Sequence, residues 1–506
     1  MVLKGRTRRV EGLNVVMLNK EDKRQDMQLG QTQNPQSPLD VVIMAGGKGT
    51  RMKSRSPKVL HTLGGQSLIA HVIKVAEALG ARSKVVVVGH GAQEVRDALA
   101  HMPGLQFALQ EPQLGTGHAL QTAAPLLPDE GLTLVLSGDV PLIELETLRQ
   151  LIVASEGKYL ALLNLHHESP HGYGRIVRSW PPQGSELGEI RAIVEEKDAS
   201  PQERAIKEIY SGVMVVPNQL LKPWLKRLEP NNAQKEYYLT DLVKFAHTDA
   251  QPIKSYLTKH VLEVSGVNDP IQLAQMERAY QQQLALELMR SGVRLMDPER
   301  LDIRGDLVCE SDVQIDVNCV FIGQVVLERG VHIDANCVIA HAHIKAGAHI
   351  KAFTHIEGDA NDERARVVVG EGATVGPFSR LRPGTQLGSG VHVGNFVEIK
   401  NSSLAQGAKA NHLAYIGDAS LGERVNYGAG SITANYDGAN KHLTTIESDV
   451  HVGSNCVLVA PLTLGAGGTI GAGSTVTKDT AKGALTVVRA KVVSIMNWAR
   501  PEKVKK

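Results

Sequence analysis

The chain has 506 residues, and its 55 Lys plus Arg stand against 53 Asp plus Glu for a net charge of +2. No general field draws in nucleic acid or a membrane surface, so the expected partners are small molecules or further copies of the chain, and the length calls for two or three domains. Four cysteines with no CxxC pair argue against a disulfide framework and a thiolate zinc site; with no apolar stretch approaching a membrane span or a signal-peptide core, a cytoplasmic protein is expected.

Residues 1–38 carry KGRTRR, KEDKRQD and NPQSP. They have little to bury, so they read as a disordered extension or as the product of a start codon chosen too far upstream. At residues 41–60, VVIMAGGKGTRMKSRSPKVL, an apolar run enters a glycine loop. Gly46, Gly47 and Gly49 can turn successive N–H groups toward one anion, while Arg51 and Lys58 add positive charge. The spacing fits neither the P-loop nor the full dinucleotide fingerprint. Leu68, Val72, Val75 and Leu79 then recur at helical spacing before Gly80. The wholly apolar runs at residues 85–88 and 132–136 are buried strands, and this alternation predicts a mostly parallel sheet covered on both faces.

The second of those strands ends in Ser137-Gly138-Asp139. Ligands of open α/β sheets sit beyond the carboxyl ends of the strands, so Asp139 shares a crevice with the glycine loop. An Asp there is either a turn or helix cap, or a magnesium ligand, because magnesium needs only one or two protein oxygens beside the phosphates it bridges. Asn268 and Asp269 before Pro270 look like a helix start, and residues 270–291, ended by Gly292, read as a linker helix.

Beyond the linker, apolar residues recur every six positions. Ile303, Cys309, Ile315, Phe321, Leu327, Ile333 and Ile339 keep the step, as do Val369, Val375, Leu381, Leu387, Val393 and Ile399, then Val452, Leu458, Leu464, Ile470 and Val476. A six-residue unit cannot fold alone, so stacked coils of a parallel β-helix are required, three units to a coil. The small residues two positions earlier, such as Ala373, Ser379 and Ser474, also point inward. Cys309, Cys319, Cys337 and Cys456 are therefore core residues. His332, His349, His392 and His451 fall between inward positions and are expected to face solvent, without a metal or catalytic role. His412 lies where the spacing slips, and ANYDGANKH is looped out between Thr433 and Ile446; breaks of this kind are where function is grafted onto a solenoid.

MAGGKGTRM followed by SPKVL resembles the signature of the sugar-1-phosphate nucleotidylyltransferases. The resemblance continues through LQEPQLGTGHAL, SGDVPL, HGYGRIV, IVEEKDA, NNAQKEYYLTD and GVND, and then through RLRPG, GNFVEIK, ANHLAYIGDA, NYGAG, ANYDGANKH and VGSN. Over residues 39–500 the chain is similar to the bacterial family of bifunctional N-acetylglucosamine-1-phosphate uridyltransferases and glucosamine-1-phosphate acetyltransferases, which supply UDP-N-acetylglucosamine for peptidoglycan and lipopolysaccharide. The resemblance implies an α/β fold: a Rossmann-like nucleotidyltransferase domain at 39–269, the linker helix at 270–291, and a left-handed parallel β-helix of hexapeptide repeats with a C-terminal tail at 292–506. It also implies a homotrimer, Mg2+ held by Asp139 and Asn268, and UTP and acetyl-CoA as co-substrates.

Residue by residue, the family's positions fall as follows. Met44, Ala45, Gly46, Gly47, Lys58, Ser137, Gly138 and Asp139 match the nucleotide-binding positions, with Arg51 and Lys58 neutralising the phosphates. Gln110, Gly115 and Thr116 match those that read the uracil; Gly174, Glu195 and position 210 match those around the sugar. At 210 the sequence departs, with Tyr210 where the family usually has Asn. His412 matches the general base of acetyl transfer. Arg382, Lys400, Tyr415 and Asn426 match the glucosamine-1-phosphate positions, and Ala429, Asn435, Tyr436, Ser454, Ala472 and Arg489 match the acetyl-CoA positions, with Lys441 alongside. Two other readings compete: a single-activity nucleotidylyltransferase with a structural or regulatory β-helix, and a non-enzymatic scaffold. His412 and the looped ANYDGANKH argue against the first; retention of Lys58 and Asp139 argues against the second.

Overall fold

The structure is a computed structural model in which residues 37–179 and 188–500 are described. The expectations for residues 1–36 and for the tail from 501 onward lie outside the described residues. Two compact units divide the chain, the first reaching Gln283 and the second beginning at Leu284. Among the described residues no helix is long and apolar enough to cross a membrane.

The principal elements of the first unit are β1 (Leu39–Ala45), α1 (Leu68–Ala78), β2 (Ser83–Val88), α2 (Ala92–Ala98), β3 (Leu105–Leu109), α3 (Thr116–Ala123) and β4 (Leu132–Ser137). They continue with α4 (Leu145–Ala154), β5 (Leu160–His166), β6 (Gly174–Arg178), β7 (Ile190–Val194), β8 (Glu208–Pro217), α5 (Asn218–Leu225), α6 (Asp241–Thr248) and β9 (Ile253–Thr258). The sheet runs β9-β5-β8-β4-β1-β2-β3, with the β6–β7 hairpin attached to β8. β8 is antiparallel to β4 and β5, whereas β1 is parallel to β2 and β4. The apolar runs read from the sequence are buried because helices cover both faces: Val41, Ile43 and Leu134 pack on one side, Val42, Val85 and Val135 on the other. From β1 the chain builds outward through β2 and β3, then returns to the far side of β1 as β4. The connections after β1 and β4 therefore leave in opposite directions and open a crevice at the carboxyl end of the sheet.

Helix α7 (Pro270–Arg290) starts as its sequence requires. The Asp269 carboxylate accepts the Gln272 N–H at 2.8 Å, which satisfies one of the free donors of the first turn.

The second unit is a parallel β-helix. One face is a ladder of short strands from Arg294–Leu295 to Leu485–Thr486. The second and third faces share a larger sheet, and one coil advances the chain from Leu301 to Cys319 and from Ile303 to Phe321. The inward positions of the six-residue period are buried throughout, including all four cysteines, which are free thiols. Burial pushes the Cys309 thiol up to about 12. Inward hydroxyls such as those of Ser379 and Ser474 close on backbone carbonyls, Gly394 at 2.6 Å and Gly471 at 2.6 Å, which meets their donors inside the core; the buried Thr444 hydroxyl is left without a partner.

One expectation is corrected here. His332 and His349 do face outward, but they are not solvated singly: they stack on each other and meet Asp334. A further break that the periodicity does not show is a loop with a turn at Glu363–Ala365 between Glu357 and Val367. The inward row slips by one position between Ile339 and Ile344, and the 13 residues from Ile356 to Val369 undo that slip, so Val369 stands again in the phase of Ile339.

Candidate active sites

The first site occupies the crevice beside β1 and β4. The glycine loop leaves β1 at Ala45, and Gly49 takes a left-handed φ of 56°. A Cβ at Gly49 would stand 2.8 Å from that of Lys58, so this glycine lets the loop and Lys58 close on each other. The Lys58 ammonium pairs with the Asp139 carboxylate and also donates to Asn268 Oδ1 at 3.1 Å. Two oxygens from separate loops thus converge on one cationic atom. The Val267 N–H, donating to the Asp139 carbonyl at 2.9 Å, ties those loops together. A hard cation beside phosphates needs such oxygens, so the donor set fits magnesium. Arg51, in the turn Thr50–Met52, is exposed at the mouth.

Gln110 is buried and donates to the Gly115 carbonyl at 2.9 Å. Its Oε1 lies 2.9 Å from where a Cβ on Gly46 would be, so Gly46 admits this side chain against the loop. Gly115, with φ 110°, stands 2.6 Å from the Tyr237 carbonyl by the same measure. The Thr116 hydroxyl is already engaged, accepting the Leu239 N–H at 3.1 Å. Met44 and Ser137 sit in register on neighbouring strands, and Gly138 N–H donates to the Met44 carbonyl at 2.9 Å.

Tyr210 lies in register with Gly174 and Asn164. Its hydroxyl is buried and has no hydrogen-bond partner. Burial and then the negative charge of Glu195 hold that hydroxyl well above its ordinary range. Burial also raises the Glu195 carboxyl, although the Thr240 hydroxyl donates to it at 3.1 Å and pulls the other way. Thr240 carried no signal in the sequence beyond lying in NNAQKEYYLTD.

The second site lies on the β-helix, and its organising feature is a corner. His412 is in register with Asn395, and extending the strand registers places Ala429, Ser454 and Ala472 at the equivalent point of the next three coils. Coils stack at about 4.8 Å, so these residues form one straight column between the first and second faces. The Arg489 guanidinium returns to it, lying 3.5 Å from a Cβ built at Gly471. Periodicity put these residues in the array but did not reveal their alignment, because a coil one residue short and the insertion at 435–443 break the count of residues between them.

The His412 ring has Nδ1 at 2.9 Å from Asn395 Oδ1. A carbonyl oxygen only accepts, so this contact places a proton on Nδ1, which in the neutral ring leaves the lone pair on Nε2. Asn395 thereby fixes the orientation of this ring, a contact for which GNFVEIK carries no local signal.

Arg382, Lys400 and Tyr415 stand on the second face. The Tyr415 hydroxyl lies over Gly417, where a Cβ would be 2.3 Å away, and Gly417 is in register with Lys400. The insertion at 435–443 forms a small hairpin closed by a Tyr436–Lys441 bridge. Asp418 anchors its root by accepting from Asn435 and Asn401. The hairpin brings Lys441 beside Lys400, and Lys441, then burial and Arg382, hold the Lys400 ammonium below its ordinary range. Cations gathered against their own repulsion make a binding site for an anion. Asn426 is not brought to this cluster; it stands on the first face, in register with Lys409 and His451.

A model of the MobA-like NTP transferase domain matches residues 41–198, and one of the bacterial transferase hexapeptide (six repeats) matches residues 366–401. The chain is 62% identical over 472 residues to the bifunctional protein GlmU of Polaromonas naphthalenivorans, covering 92% of this chain and 98% of that protein. It is 61% identical over 471 residues to the bifunctional protein GlmU of Albidiferax ferrireducens, covering 92% and 100%. A solved UDP-glucose pyrophosphorylase aligns with 49% of this chain and 99% of its own at 18% identity and TM-score 0.40, a likeness that bears on no residue here. With that identity running through both units, this chain belongs to the bifunctional GlmU family.

Proposed function

We propose that the chain makes UDP-N-acetylglucosamine in two steps, acetyl-CoA-dependent N-acetylation of glucosamine-1-phosphate and then uridylyl transfer from UTP. The observation that carries this reading is the presence on one chain of two separate anion-binding constellations, Lys58 with Asp139 and Asn268, and Arg382 with Lys400 and Lys441.

In the uridylyl step an oxygen of the sugar phosphate attacks the α-phosphorus of UTP in line, and pyrophosphate leaves. The attacking group is already an anion, so no side chain need act as nucleophile or base. Asp139 and Asn268 would hold magnesium, which when bound would supply charge neutralisation on the phosphates. Lys58 and Arg51 add fixed positive charge, and the glycine loop offers N–H donors aimed at the same oxygens.

In the acetyl step the glucosamine amine attacks the thioester carbonyl, the C–S bond breaks, and CoA leaves as the thiol. His412 Nε2 takes the amine proton while Asn395 holds the ring in that tautomer. Arg382, Lys400 and Lys441 hold the phosphate, with Tyr415 reaching across the second face toward them. The small side chains of Ala429, Ser454 and Ala472 leave room along the corner for the length of CoA, which ends near Arg489.

A homotrimer is part of this reading. At the same corner Phe353, Phe378, Phe396 and Leu413 are 49–62% exposed and all have positive φ. Equivalent coils carry Asn318, Asn336 and Asn455, the residue type that tolerates this conformation; an aromatic residue there costs about 1–2 kcal/mol. An exposed apolar stack held in a costly conformation is best accounted for by a neighbouring subunit that covers it. The same neighbour could supply an Asn426 to the cation cluster. Phe378→Asp is expected to yield monomers by light scattering that lose acetyl transfer and keep uridylyl transfer. An acetyl-transfer-competent monomer would refute the shared site.

The substrate assignment is tested by comparing kcat/KM for N-acetylglucosamine-1-phosphate, glucosamine-1-phosphate and glucose-1-phosphate with UTP. The first is expected to be preferred, and preference for glucose-1-phosphate would overturn the reading. The unbonded Tyr210 hydroxyl has its partner in the sugar on this account, so Tyr210→Phe is expected to raise KM for N-acetylglucosamine-1-phosphate about tenfold. An unchanged KM would mean that the tyrosine only fills space.

A further inference from the structure

On the first face of the β-helix, His332 and His349 occupy successive coils in register. Their rings stack with centroids 4.7 Å apart and planes 9° from parallel. Asp334 follows His332 by two positions on the same outward row. Its Oδ1 lies 2.9 Å from His349 Nε2 and 3.6 Å from His332 Nε2. One donor atom from each of the three falls within 4.8 Å of the others.

We propose that His332, Asp334 and His349 form a binding site for a divalent transition-metal ion, with its remaining coordination positions open to solvent. Two imidazoles and one carboxylate are a donor set for borderline metals such as nickel, cobalt or zinc rather than for magnesium or calcium, which take oxygen ligands. The side chains are 31–41% exposed, open enough for an ion to enter and fixed enough by their coils to be pre-arranged. One carboxylate oxygen faces two imidazole nitrogens, and only the nearer is within hydrogen-bond reach, so the second nitrogen is free for a ligand's role. The charges facing the group are Asp316, one coil below Asp334, and Lys351, in register above it. These two facing charges balance, so the net negative charge of the group is that of Asp334 itself. Other outward histidines of the face lack this arrangement. His392 is flanked in register by Thr374 and Lys409, and His451 by Asn426 and Thr469.

Full-length enzyme in excess Mg2+, which fills the oxygen site beside Lys58, is titrated calorimetrically with NiCl2. One Ni2+ per chain is expected, with affinity falling at least tenfold in His349→Gln and in Asp334→Asn and unchanged in His451→Gln. Affinity should also fall as the solution is made acid, because protons compete with the metal for the same imidazole lone pairs. Should His349→Gln fail to fold by circular dichroism, Asp334→Asn decides alone. Equal Ni2+ affinity in wild type and Asp334→Asn, or no Ni2+ bound beyond the level that Mg2+ displaces, would overturn the assignment.

Discussion

Asp139→Ala is expected to lower uridylyl transfer at least about 10²-fold while acetyl transfer stays within about twofold of wild type. The carboxylate and the Asn268 carbonyl are the two oxygens that meet at Lys58. Removing one takes away half of the proposed magnesium site and leaves the lysine with a single partner. The acetyl-transfer residues lie between Arg382 and Arg489 in the other unit, so nothing in their geometry depends on Asp139. Pyrophosphate release and CoA thiol release measured on one preparation separate the two effects. If both activities fell together in a folded protein, or if uridylyl transfer survived, the two-site account would fail.

His412→Ala should have the converse effect, a loss of about 10²- to 10⁴-fold in acetyl transfer with uridylyl transfer intact. The side chain is exposed and fills no core, so the loss cannot be put down to unfolding. Asn395→Ala should reduce the rate less and displace the acidic limb of the kcat/KM–pH profile, since the ring loses the acceptor that holds its Nδ1 proton. A His412→Ala enzyme retaining more than about a tenth of the rate would identify a different base.

The nucleotide half of the site was legible because its signals are local. A buried strand, a glycine loop and a strand-end aspartate each declare themselves within a few residues, and the parallel-sheet rule puts them at one edge. The environment of Tyr210 was not legible, because whether a tyrosine hydroxyl finds a partner depends on Gly174, Glu195 and Asn164, which reach it from other strands. Likewise the sequence could place His332 and His349 on an outward row, but the meeting with Asp334 needed the register of one coil on the next.

By itself the sequence determined the β-helix, since a six-residue apolar period has no other way to bury its side chains, and it determined that the four cysteines are core. It also marked His412 and the 435–443 hairpin as departures from that period. Only the tertiary structure decided that His412, Ala429, Ser454 and Ala472 share one corner and that Lys441 reaches Lys400. Insertions change the residue count between coils without changing their stacking. Neighbours across coils are therefore set by backbone hydrogen bonding between strands, which no spacing along the chain records.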